Sequence, residues 1–284
     1  MLARAKAKFE YRLGPAIFGN TLGFAKNELW GNFHESCKKS FLASGKMTSA
    51  SEAALELKRD RLTVMSKQDV SDLAAGVNKY FGESPEVYSE MPVEIAVNFA
   101  PQIFNLLKSA EADVLDYYDS YFQPYWILLQ RTTPGKTTAA SSFGWHIDDN
   151  PKELMKLFVY LNDVYESNGA FRAFSWKHSR RILLKGFRSN GESTRVNAQP
   201  IAENYLAKNS KALKILEGSE GTVLAFDNNL VHKGTAPRIG HRHAIQIPIY
   251  PSKTPLSLEM VERALLSPRK RDYPPFPESN DFGY

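Results

Sequence analysis

The chain has 284 residues, 43% hydrophobic and 24% charged, a balance that fits a folded globular protein with a sizeable core and excludes a disordered or fibrous one. It contains no run of eighteen apolar residues, and charges interrupt its first residues, so neither a transmembrane helix nor a secretory leader is expected. The net charge of +5, with a pI near 9.1, favours anionic partners. The lone cysteine, Cys37, rules out an intrachain disulfide and suits a reducing, cytoplasmic setting.

Charge is concentrated at the start. Residues 1–46 carry eight basic side chains against three acidic ones, interleaved with Phe9, Ile17, Phe18, Phe24, Trp30 and Phe33. Such a segment suits either of two arrangements. It can lie on an anionic membrane surface, here the cytoplasmic face of the inner membrane, or pack as a helical arm whose basic face meets solvent. Residues 1–65 are therefore read as a basic, aromatic, helical segment preceding a second unit, 66–284. Ser51 to Arg61 is rich in helix formers. Ser66-Lys67-Gln68-Asp69 has the capping-box pattern and predicts a helix with Val70, Leu73, Ala74, Val77 and Phe81 on one face, stopped by Gly82. Pro101 opens another, with Ile103, Leu106, Leu107 and Ala110 inward. The aromatic cluster Tyr117, Tyr118, Tyr121, Phe122, Tyr125 and Trp126 suits core and rim packing better than base stacking, and no nucleic-acid partner is expected.

From Trp126 the pattern changes to short strands: Trp126–Gln130, Leu157–Leu161, Phe171–Phe174, Gly221–Asp227 and His243–Tyr250. Between them lies Phe143-Gly144-Trp145-His146-Ile147-Asp148-Asp149. On a strand, residues i and i+2 face the same side, so His146 and Asp148 can grip one ion together. His232, in Leu230-Val231-His232-Lys233-Gly234, returns later in the chain to complete two imidazoles and a carboxylate, the facial set that suits non-haem Fe(II) and leaves positions open. Arg242 lies one strand-length beyond and can meet a carboxylate bidentately. Short strands flanking the ligands predict a small barrel holding a metal at its mouth.

Four pieces in register, "GWHIDD", "YLNDVYESNGAFRAFSWKHS", "GTVLAFDNNLVHKG" and "GHRHAIQI", make the chain resemble Fe(II)- and 2-oxoglutarate-dependent oxygenases of the phytanoyl-CoA dioxygenase type over about residues 124–251. Where that family usually has a Pro-Gly-Ser-His turn, this sequence has Ser175-Trp176-Lys177-His178. The resemblance implies a mainly β fold with flanking helices around a double-stranded β-helix (jelly-roll, cupin-like) core. It implies Fe(II) on His146, Asp148 and His232, 2-oxoglutarate with its far carboxylate on Arg242, and O2 as co-substrate. Gln130 and Tyr160, at inward strand positions, are candidates for a further hydrogen bond to 2-oxoglutarate. Related halogenases carry a small residue where Asp148 stands, so a hydroxylase is implied.

The insert 175–214 is basic in its first part. It is expected near the mouth, where Lys177, His178, Arg180 and Arg181, with Arg131 and Arg172, would bind phosphate or carboxylate groups of substrate. A short helix, Leu256 to Leu266, and a basic, proline-rich tail follow. In overall build the chain resembles the Kdo hydroxylases, which act on a sugar acid of lipopolysaccharide, implying an anionic, lipid-linked substrate. A soluble hydroxylase of an acyl-CoA or secondary metabolite is the second reading. A cupin-like protein that binds metal and ligand without turnover is the third.

Overall fold

A computed structural model of the protein describes residues 13–46, 49, 51–82, 86–139, 141–189 and 191–267. Among these residues, ten strands form two antiparallel sheets: β1 (Leu62–Val64), β2 (Tyr88–Glu90), β3 (Tyr121–Pro124), β4 (Leu128–Thr132), β5 (Met155–Tyr160), β6 (Phe171–Phe174), β7 (Leu213–Leu216), β8 (Val223–Asp227), β9 (His232–Lys233) and β10 (Arg242–Ser252). The large sheet runs β1-β8-β5-β10-β4-β2, with β3 also on β10, and the small sheet runs β7-β6-β9. Helix outweighs strand, 45% against 20%, so the fold is not mainly β. The strands expected from the sequence are all present, but helices cover the large sheet and build much of the insert.

Strand parity divides the large sheet into two faces. On β5, Met155, Leu157 and Val159 pack outward into the main core, together with Leu129, Ile245, Ile247 and Val223 from neighbouring strands. The helices Ser71–Phe81, Ala100–Ser109, Glu111–Tyr118 and Leu258–Leu266 supply the other half of that core. The opposite parity, Phe158, Tyr160, Leu224, Phe226 and Ala244, faces the small sheet and packs on Phe171, Ala173 and Leu216. Two sheets therefore enclose one apolar layer, and the site sits at its rim.

Helix Ser71–Phe81 buries Leu73, Ala74, Val77 and Phe81 as its spacing predicts. It starts after the Ser66 box, with Val70 at the N-cap position and Asp69 Oδ1 just before it accepting from Ser71 N (3.1 Å) and Ser71 Oγ (2.8 Å). The N-terminal helix Phe24–Ala43 turns Trp30, Phe33, Cys37 and Phe41 inward. Trp30 packs edge-on against Tyr250 of β10, and Phe41 against Tyr121 of β3. Of the residues that the membrane reading needs exposed, Trp30 is 1% exposed, Phe18 and Phe24 are half-buried and Ile17 is exposed. Over Phe24–Ala43 the segment packs on the sheet. Residues 1–12, with Arg4, Lys6, Lys8, Phe9 and Arg12, and the tail 268–284 lie outside the described residues.

Candidate metal centre

His146 and His232 are brought together by the backbone. They form an antiparallel bridge in which each amide donates to the other's carbonyl at 2.9 Å. Gly144, just before, is required, since a Cβ there would stand 2.1 Å from the Ala139 carbonyl oxygen. The two imidazoles lie 4.2 Å apart between centroids. Each Nδ1 is 2.8 Å from a backbone carbonyl, that of Gly144 for His146 and that of Leu230 for His232. Those contacts place the proton on Nδ1 and leave both Nε2 lone pairs turned to the same space. Asp148 Oδ1 completes the group, 3.4 Å from His146 Nε2 and 3.8 Å from His232 Nε2. All three ligand atoms lie within 4.8 Å of one another, and the donor set fits a divalent metal.

The electrostatics agree with that role. Burial, followed by the neighbouring His146, pushes the His232 imidazole down to about 3, so it stays neutral. Burial alone would raise the Asp148 carboxyl, yet Lys156 and the two histidines outweigh it and hold the group well below the usual range. Asp148 is ionised and the His232 imidazole offers its lone pair.

The three residues open on a cavity of about 270 Å3 that also takes in Tyr88, Gln130, Phe158, Arg242 and Gln246. Arg242 is 3% exposed and makes no ion pair among the described residues. It donates to the Gly169 carbonyl and, at 3.3 Å, to Thr132 Oγ1, while its Nε has no partner. A buried guanidinium without a counter-ion is costly. Its position in the same cavity as the metal ligands fits the carboxylate of a second small molecule.

The other expected site residues divide by parity. Gln130 reaches the cavity, where its Oε1 accepts from Tyr88 Oη (3.0 Å) and Gln246 Nε2 (2.6 Å). Arg131, the next residue on β4, must face the other way, and donates to the Phe81 and Gly82 carbonyls. Arg172 lies out of phase with Phe171 and pairs with Glu166 at 2.6 Å. Tyr160 points inward but too deep: its hydroxyl donates to the Leu216 carbonyl (2.6 Å) and accepts from Phe171 N (3.2 Å). Lys177, His178, Arg180 and Arg181 sit on helix Trp176–Leu184, whose buried face is Ser179, Ile182 and Leu183. Their side chains line no part of the metal cavity; His178 meets Tyr205 Oη at 2.8 Å, and Arg181 borders a separate surface groove with Lys185 and Lys208. Lys156, Tyr88 and Gln246 are cavity residues that the sequence reading missed. Parity with Phe158 and with Arg242 was the signal available for Lys156 and Gln246.

Two flanking segments hold residues 145–150, which carry His146 and Asp148. Asp149, in the left-handed region at φ 56°, accepts from Thr21 N and Thr21 Oγ1, both at 2.5 Å. Asn20 donates to the Asn150 carbonyl at 2.8 Å, and Asn229 grips the same residue through N and O, each at 2.9 Å. On the other side, Gln199 and Glu203 of helix Glu192–Lys208 bond the backbone and indole of Trp145, and Ser189 Oγ accepts from Ile147 N at 2.9 Å.

No family model matches the chain, and no curated protein matches it. Solved structures do. The epimerase SnoN, in complex with Fe3+, alpha ketoglutarate and nogalamycin RO, aligns with a TM-score of 0.51 at 10% identity, over 70% of this chain and 82% of that one. The non-haem alpha ketoglutarate-dependent carbocyclase SnoK from nogalamycin biosynthesis aligns at 0.50 and 13% identity, over 72% and 88%. The likeness is one of fold. This chain has the architecture of those non-haem enzymes, with a His-Asp-His group at the rim of its sheets.

Proposed function

We propose that the chain is an Fe(II)- and 2-oxoglutarate-dependent hydroxylase built on a double-stranded β-helix core. One observation carries the reading: His146, Asp148 and His232 share a cavity with a buried Arg242 that lacks a counter-ion. When bound, iron with 2-oxoglutarate and O2 supplies the oxidant that inserts oxygen into a substrate C–H bond, with succinate and CO2 released. The chain's own residues bind and orient. The Gly144 and Leu230 carbonyls fix the two imidazoles, and Arg242 takes the far carboxylate of 2-oxoglutarate. Gln130, Tyr88 and Gln246 form a hydrogen-bonded wall beside it. Phe158 beside Arg242, and Phe171 and Phe226 beside His232, line the cavity with apolar rings that exclude water.

The substrate proposed is an anionic sugar, the Kdo of lipopolysaccharide. It is supported by the likeness in build and by the basic balance of the chain. Contact with a membrane would fall to residues 1–12 and to Ile17, 43% exposed, since Trp30, Phe33 and Phe41 are buried against the sheet. A second reading, hydroxylation of a secondary metabolite, is favoured by the fold likeness to SnoN, whose structure holds nogalamycin RO. The test is mass spectrometry of lipopolysaccharide core from cells carrying the protein, beside Asp148→Ala. A gain of one oxygen atom with the intact protein alone supports the sugar reading. Succinate release without that gain supports the second, and absence of succinate release leaves a binding protein.

A further inference from the structure

The cavity holds a cation that neither the metal ligands nor the 2-oxoglutarate site requires. Lys156 occupies an inward position on β5, in phase with Phe158 and Tyr160, and its side chain is 9% exposed. Its Nζ lies 2.6 Å from Asp148 Oδ2. The other oxygen, Oδ1, faces His146 Nε2 at 3.4 Å and His232 Nε2 at 3.8 Å. Each oxygen of one carboxylate thus has its own neighbour: the lysine holds one, and the histidine pair faces the other.

Lys156 is itself held. The rings of Trp126 and Phe226 flank the ammonium at 5.9 and 5.8 Å, and Asp148 is its one ion-pair partner among the described residues. The backbone of Asp148 is fixed as well, through its amide bond to the Asn228 carbonyl at 2.9 Å. With backbone and Oδ2 both restrained, the carboxylate cannot swing to present both oxygens. That matters for a metal, because a carboxylate can bind through one oxygen or two. Two-oxygen binding would occupy a position that a chelating co-substrate needs.

We propose that Lys156 is a positioning residue that holds Asp148 as a one-oxygen metal ligand and so keeps a coordination position open for 2-oxoglutarate. The inference rests on the reading of His146, Asp148 and His232 as the metal site. A lysine that served stability alone would leave the coordination unchanged when replaced, which gives the two roles different signatures.

The test uses the full-length protein with Co(II) as probe, read by its visible absorption, before and after 2-oxoglutarate is added. Wild type should bind Co(II) and change its spectrum on adding 2-oxoglutarate. Lys156→Met should bind Co(II) at least as tightly as wild type, because the freed carboxylate can offer both oxygens and a competing cation is gone. Its Co(II) spectrum should differ from wild type, and the response to 2-oxoglutarate should be lost or need far more of it. Lys156→Arg, which keeps a charged donor, should move both readings back towards wild type. If Lys156→Met does not fold, Lys156→Gln, too short to reach Oδ2 with the same geometry, takes its place. A wild-type Co(II) spectrum and a wild-type response to 2-oxoglutarate in Lys156→Met or Lys156→Gln, with only the melting temperature lowered, overturns the inference and leaves the metal site standing. Failure of wild type itself to bind Co(II) overturns both.

Discussion

The N-terminal segment and the basic insert look alike as sequences and behave differently in the fold. Both are rich in Lys and Arg, and both invite an anionic partner. In the structure each braces the segment that carries His146 and Asp148, the first through Asp149 and Asn150 and the second through Trp145 and Ile147. The N-terminal side reaches the ligand segment through buried polar contacts, Thr21 on Asp149 and Asn20 on Asn27 and Asn150, while its helix Phe24–Ala43 packs aromatic rings on β3 and β10. The insert works through an apolar core of Ile182, Leu183, Phe187, Ala198 and Ala202 packed on Trp145, Ile147 and Phe174, with Gln199 and Glu203 bonding Trp145 at its edge and Lys177, Arg180 and Arg181 outside that core. Position in the fold, and not charge, decides what each segment does for the site. Removing the first should damage the ligand geometry, while neutralising the second's surface should not.

Deleting residues 1–33 should have the largest effect. It removes the Thr21 and Asn20 contacts and exposes the sheet face under Trp30, so the protein should aggregate or lose its metal. Circular dichroism and metal content of the purified protein check this. A folded, metal-loaded truncation would mean that the N-terminal contacts are dispensable.

Glu153 gives the same comparison a pH signature. It is 4% exposed beneath the N-terminal helix, with Gly31 above it and Lys152 Nζ 3.5 Å from Oε1. Burial raises its carboxyl from 4.5 to about 7, with Lys152 opposing the rise. The folded state therefore holds this proton more tightly than the unfolded one. The stability it contributes is full below pH 4.5 and is lost as pH rises through 7. The loss by pH 8 is at most roughly 3 kcal/mol. Glu153→Gln should flatten this part of the profile and melt higher than wild type at alkaline pH. Parallel melting curves of the two proteins across pH would contradict the assignment.

Asp149→Asn keeps a residue that tolerates the left-handed conformation but removes the charge bonded by Thr21. Unfolding in urea should show a loss of about 2 kcal/mol. The smallest effect is expected from the insert. Replacing Lys177, Arg180 and Arg181 together by Ala should change stability by about 0.5 kcal/mol or less, with 2-oxoglutarate turnover unaltered. A large loss of turnover would return the insert surface to the site.

His146 and Asp148 were legible from their i, i+2 spacing and Arg242 from its place at the start of β10, while His232, far along the chain, is joined to them by its bridge to His146. Parity also argued against two of the wider choices. Arg131 follows Gln130 directly, so on one strand both cannot face the cavity, and Arg172 stands in the same relation to Phe171. Tyr160 had the right parity, but its depth is set by the small sheet, through the Leu216 carbonyl, which no local pattern encodes. Lys156 fell just before the strand as read from Leu157, so its inward position went unnoticed. The pairing of Thr21 with Asp149 spans 128 residues and leaves no periodic trace.

The central claim is that one cavity binds a metal through His146, Asp148 and His232 and a dicarboxylate through Arg242. The most direct measurement is anaerobic titration of the protein with Fe(II) and then 2-oxoglutarate, followed by visible absorption, in wild type and Arg242→Ala. Wild type should develop a charge-transfer band that saturates with 2-oxoglutarate. Losing one side of a buried charge pair costs about 2–5 kcal/mol, so Arg242→Ala should form the band only with more than tenfold higher 2-oxoglutarate. Absence of the band in wild type, or identical titrations of the two proteins, would contradict the account.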